Sequence, residues 1–130
     1  MAGKRSPSAA LKVSELESYS ARVARLHSLV EHYAAEKVNP DNWTQQIKRT
    51  AGDLRLALMT AGWESLSQIC GSMVMTVSRS GNHGLKTRTL REQIGSLKFQ
   101  VENSIRTVVR EDDMARQRED DTKRLRETKE

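Results

Sequence analysis

Cysteine occurs once in these 130 residues, at Cys70, and proline only at Pro7 and Pro40. A lone thiol excludes an internal disulfide and a zinc centre built from cysteines, and it suits a reducing interior. Aromatics are scarce, with one Phe, two Tyr and two Trp, and none lies between Trp63 and Phe99. That gap removes the interleaved stacking platforms on which single-strand nucleic-acid binders rely. The longest unbroken apolar run, Leu56-Ala57-Leu58-Met59, is far too short to span a bilayer. The opening Met1-Ala2-Gly3-Lys4-Arg5-Ser6-Pro7 leads into no apolar stretch of a secretory signal, and Ala2 stands where N-myristoylation needs glycine.

Catalytic signatures are missing as well. No Glu is followed three residues later by His, the pairing that an inward-facing dimetal bundle requires. The Gly81/Gly84 stretch lacks the glycines before Lys-Ser/Thr that cradle a phosphate, and no Gly-x-Ser-x-Gly elbow occurs. These absences lead us to expect a non-enzymatic protein with no cofactor, no metal, no small-molecule substrate and no membrane association. The expected compartment is the cytoplasm, or the nucleus or nucleoid if nucleic acid is the partner.

What is present is helical periodicity. Leu16, Tyr19, Val23, Leu26, Val30 and Tyr33 are spaced by threes and fours, which stacks them on one helical face. The same spacing recurs in Trp43, Ile47, Ala51, Leu54, Leu58 and Ala61. It recurs again in Trp63, Leu66, Cys70, Met73 and Val77, and in Leu90, Ile94, Leu97, Val101 and Val108. Met73 to Ser78 also alternates as a strand does, but a lone strand has no partner, so the helical reading is kept. At this length one domain is expected: an all-α, up-down-up-down four-helix bundle. The alternative is an elongated helical hairpin that completes its core by dimerising.

Boundaries follow from local chemistry. Residues 1–13 are small, basic and poor in burial, and read as a disordered lead. Ser14-Glu15-Leu16-Glu17 has the form of a capping box, so the first helix is expected to start at Ser14 and to run to about Lys37. Asn39-Pro40-Asp41 is a break and restart, with Asn39 as N-cap, Pro40 in the first turn, and a hydrophobic staple from Val38 to Trp43. Gly62 closes the second helix, and Ser80-Gly81-Asn82-His83-Gly84 reads as a loop. The bundle domain is thus assigned to 14–110. Residues 111–130 form a charged helical extension or tail, in which Asp112/Arg116, Glu119/Lys123 and Asp120/Arg124 are spaced i,i+4 with the acid first.

Charge is unevenly spread. Residues 85–110 carry six Lys/Arg against two Asp/Glu, and 111–130 carry six against eight, within a net charge of +5. Arg79, His83, Lys86, Arg88 and Arg91 cluster without a local acid, and Lys98 and Arg106 extend the basic face along the fourth helix. Glycines around His83 would let this stretch mould onto phosphates or an acidic protein. The plainer reading is a solvated polar face. His27 and His32 each have a Glu four residues on, as a solvated helix face does. Trp43, Trp63, Tyr19 and Tyr33 serve as core or staple residues, or as interface anchors where exposed. Met59, Met73 and Met75 are either gap-fillers or an adaptable groove, and Cys70 is expected to be buried and inert.

The expected function is that of a protein-interaction or assembly subunit that self-associates or docks a partner helix. The alternative is a small basic accessory protein holding nucleic acid by its phosphates through Arg79–Arg91 and the outer face of the fourth helix. A third reading is a phosphorelay-like bundle using His32, although no His-x-Leu-Lys-Gly arrangement surrounds it.

Overall fold

A computed structural model describes residues 5–128. They form four helices: α1 (Pro7–Ala35), α2 (Asp41–Thr60), α3 (Glu64–Ser78) and α4 (His83–Thr128). No strand occurs among the described residues, and Met73–Ser78 is helical. Consecutive helices run antiparallel. α1 packs on α2 and α4, α3 packs on the same two, and the backbones of the diagonal pairs stand farther apart. This is the four-helix bundle that the seams predict. Leu16, Val23, Leu26, Val30, Ile47, Leu54, Leu58, Cys70, Met73, Leu90, Ile94, Leu97 and Val101 fill its core. Trp43, Ala57, Trp63, Ile69, Val74, Ile105 and Val108 pack around them.

The first boundary differs from expectation. α1 begins at Pro7, so residues 7–13 are helix rather than disordered lead, while residues 1–4 lie outside the described part. Ser6 is the N-cap, its Oγ accepting the Ala9 N–H at 3.2 Å, and Pro7 sits at N1, where its missing N–H costs nothing. Ala9 and Val13 are buried against α4, which outweighs the capping-box pattern at Ser14. The Ser6 N–H also donates to Asp112 Oδ2 at 3.2 Å, which ties the start of α1 to α4.

The second boundary shifts by one residue. Pro40, not Asn39, is the N-cap of α2, and no side chain caps that end. Glu36 instead turns back to accept the N–H groups of Val38 and Asn39. The staple does not form, for Val38 is 93% exposed. Gly62 closes α2 as expected. At φ 87° it occupies the left-handed region, and the N–H of Trp63 reaches Leu58 O at 2.8 Å while that of Gly62 reaches Met59 O. The last loop is shorter than its composition suggests: Asn82 caps α4 through Oδ1 to the Leu85 N–H, which places His83 and Gly84 in the first turn.

Lengths differ in a way that matters below. Tyr33 meets His83, Glu31 meets Arg91, and Ser6 meets Asp112, so α1 covers α4 from its start to about residue 112. The α2–α3 hairpin ends earlier, where Trp63 and Leu66 lie near Gln100 and Ser104. From Asp113 to Thr128 α4 continues for about 24 Å at 1.5 Å per residue, and its side chains from Gln117 to Thr128 are exposed. Residues 111–128 are therefore an ordered helical extension, and 129–130 lie outside the described part. Of its three expected ion pairs only Asp112–Arg116 closes, at 3.4 Å.

Candidate functional site

The basic stretch is not a free cationic patch. Arg91 makes a bidentate pair with Glu31 of α1, Nε to Oε2 at 3.0 Å and Nη2 to Oε1 at 2.8 Å. These bonds hold the Glu31 carboxyl below its ordinary value and raise the Arg91 guanidinium. The carboxylate that Arg91 meets is not that of adjacent Glu92 but that of Glu31, sixty residues away on another helix. His83 is fixed rather than mobile: Nε2 lies 2.8 Å from Tyr33 O, and its ring rests against that of Tyr33 at 4.5 Å. Arg79 sits at the exposed C-cap of α3, Lys86 is partly buried, and Arg88, Lys98 and Arg106 are exposed. Arg88 and Arg106 share a face of α4 but lie 18 residues apart, about 27 Å. The structure therefore spreads these cations along a rod instead of converging them.

The aromatic candidates are also engaged inside the fold. Tyr33 and Tyr19 are buried, and burial raises both hydroxyl pKa values, with the Glu15 bond adding to the rise at Tyr19. Tyr19 Oη donates to Glu15 Oε1 at 3.0 Å, and Trp63 Nε1 donates to the same oxygen at 3.1 Å. One carboxylate thus pins the α2–α3 turn to α1. Trp43 stacks on His32 at 4.5 Å with an 11° tilt, which takes up the imidazole that the phosphorelay reading needs free. His27 lies 3.9 Å from Glu31. Cys70 is buried as expected, and burial pushes its thiol up to about 11. No group of three or more metal-ligating side chains occurs among the described residues.

A wider concavity lies elsewhere, between the outer faces of α2 and α3. This groove of about 810 Å³ is lined by Gly52, Arg55, Met59, Glu64, Ser67, Gln68, Gly71, Ser72, Val74 and Met75. Small residues on both helices make it: a Cβ at Gly52 would meet nothing within 4 Å, and one at Gly71 would stand 3.2 Å from Arg55 Nε. Arg55 therefore lies across α3 where Gly71 leaves room. No carboxylate among the described residues is within ion-pair distance of it. Met59 and Met75 form the walls and are 54% and 57% exposed.

Only part of this groove can be read from sequence. The methionines of α2 and α3 divide, Met73 being a buried gap-filler while Met59 and Met75 face solvent. The signal lies in the register: Met59 falls off the Ile47/Ala51/Leu54/Leu58 line, and Met75 falls off Leu66/Cys70/Met73/Val77. Gly52, Arg55 and Gly71 carry no such signal, because their role appears only once α2 and α3 are set side by side. In comparisons with known proteins the chain matches no family model, no curated protein and no solved structure.

Proposed function

We propose that this chain is an interaction module that receives an amphipathic helix of a partner protein in the groove between α2 and α3. The observation that carries the reading is that exposed Met59 and Met75 both line a groove shaped by Gly52 and Gly71. Thioether side chains are unbranched and polarizable, so they adapt to the ridges of an incoming helix. Arg55 lies in the same groove, and no carboxylate among the described residues pairs with it, so the fitting occupant carries an Asp or Glu beside its apolar stripe. Glu64 at the other edge disfavours an acid there and sets the direction of the occupant. The basic stretch of α4 supports an anionic partner less well, since Arg91 and His83 are already spent within the fold.

The test uses two synthetic amphipathic helical peptides with identical leucine stripes, one flanked by Glu and the other by Lys. Methyl NMR on the five methionines reads the outcome. The Glu-flanked peptide is expected to shift the Met59 and Met75 methyls, to leave buried Met73 and distant Met114 in place, and to lose affinity on Arg55→Glu. Failure of both peptides to move Met59 and Met75 at millimolar concentration overturns the reading.

A further inference from the structure

The groove between α2 and α3 carries its chemistry in a fixed order along its length. The two helices run antiparallel and meet at the turn around Gly62. Positions on both can therefore be measured along one axis toward that turn, at about 1.5 Å per residue. Gly71 gives the reference level. Arg55 crosses from α2 onto α3 there, since a Cβ on Gly71 would stand 3.2 Å from its Nε and 3.4 Å from its Cδ. Met59 follows Arg55 by four residues on the same flank of α2, about one turn nearer Gly62. Met75 follows Gly71 by four residues on α3, which runs the other way, so it lies about one turn farther from Gly62. The cation thus sits between the two thioethers along the groove.

Arg55 and Glu64 are the two charged side chains among those lining the groove. Neither forms an ion pair with a described residue. Glu64 precedes Gly71 by seven residues, so it lies about 10 Å nearer the turn and beyond Met59. The order toward the turn is thioether, cation, thioether, carboxylate. A helix laid along the groove repeats the same rise, which converts this order into residue positions. An acid at position i meets Arg55, apolar side chains at i−4 and i+4 meet Met75 and Met59, and a base at i+7 meets Glu64. These four positions fall within about 80° around a helix, so one face presents them all. Exchanging the two charges would set a base on Arg55 and an acid on Glu64, like against like.

We infer, on the reading of this groove as a helix seat, that the partner helix carries this pattern. An apolar residue is followed by an acid four residues on, a second apolar residue four further, and a base three beyond that. The base lies at the Gly62 end.

Two peptides of identical composition test the pattern. One carries Leu, Glu, Leu and Lys at i−4, i, i+4 and i+7, and the other exchanges the Glu and the Lys. Either chain direction satisfies the same order, so each peptide is made in both. At low salt the full chain is expected to bind the first at least about fivefold more tightly in one direction, and molar salt to shrink the difference. The charge-reversed protein R55E/E64K is expected to prefer the second peptide, with the Met59 and Met75 methyls shifting in each matched pair. Both substituted side chains are exposed, so the helical circular dichroism is expected to stay unchanged. Equal affinity of the two peptides at low salt, while both shift the methyls, overturns the pattern and leaves the helix seat standing. A preference that R55E/E64K does not reverse overturns it as well, and methyls that no peptide moves remove the seat itself.

Discussion

At the scale of single residues, Glu15 illustrates how a polar side chain organises an apolar fold. Its Oε1 accepts from Tyr19 and Trp63 at once, so two aromatic groups that would otherwise leave polar atoms unsatisfied share one acceptor. Glu15→Ala is expected to lower unfolding stability by about 1–3 kcal/mol, because both donors then lose their bond in a half-buried setting. Urea titration measures this, and Trp63 emission should shift to the red as its indole gains water. Retention of full stability would mean that solvent replaces the carboxylate without cost. Arg55 shows the opposite case, a cation laid over a glycine with no carboxylate to meet it.

At the scale of helices, ends and contacts decide more than propensity. The ion pair of Glu31 with Arg91 and the bond from Ser6 to Asp112 fasten α1 to α4 at two levels, and both carboxyls are held below their ordinary values. The unfolded chain therefore takes up protons at these groups more readily than the native state does. The stability they contribute is complete above the usual carboxyl range, around 4.5 for Glu31, and is lost as pH falls through the lower folded-state values. The Glu31 side chain is half-exposed, so its share is screened by water and modest. Thermal melts between about pH 6 and about pH 3 are expected to fall more steeply for the native chain than for an E31Q/D112N variant.

Helix identity was legible here because each seam repeats at threes and fours over several turns, as from Leu16 to Tyr33. The starts were less legible. Ser14 heads a capping-box pattern, yet the helix starts earlier, capped by Ser6, and buries Ala9 and Val13. Val38 and Trp43 have staple spacing, yet Trp43 finds a flat imidazole at His32 and leaves Val38 in water. The basic cluster looked unopposed because Glu31 is sixty residues from Arg91 along the chain. The groove was hidden for a similar reason: an opening made by Gly52 on one helix and Gly71 on another has no periodicity of its own.

At the scale of the whole molecule, the bundle and the rod beyond it are energetically separate. The last fully buried side chain of α4 is Val101, and beyond Arg116 its described side chains are exposed. Removal of residues 117–130 is expected to leave the unfolding free energy of the bundle within about 0.5 kcal/mol, since surface positions away from caps and core contribute little. Hydrogen exchange on the full chain should divide in the same place, with slow amides over 90–101 and fast ones over 117–128. Uniform protection along α4 at low protein concentration would show that the extension is stabilised from within the chain.

Continuity of α4 from the core into solvent has a geometric consequence. A single unbroken helix transmits angle as well as distance. One residue inserted after Gln117 would turn everything beyond it by about 100° about the axis while advancing it only about 1.5 Å. Seven inserted residues would carry the tip about 10 Å farther and return it to within about 20° of its first heading. The rod therefore gives its tip a compass bearing relative to the bundle, and that bearing is far more sensitive to small changes in length than its reach is.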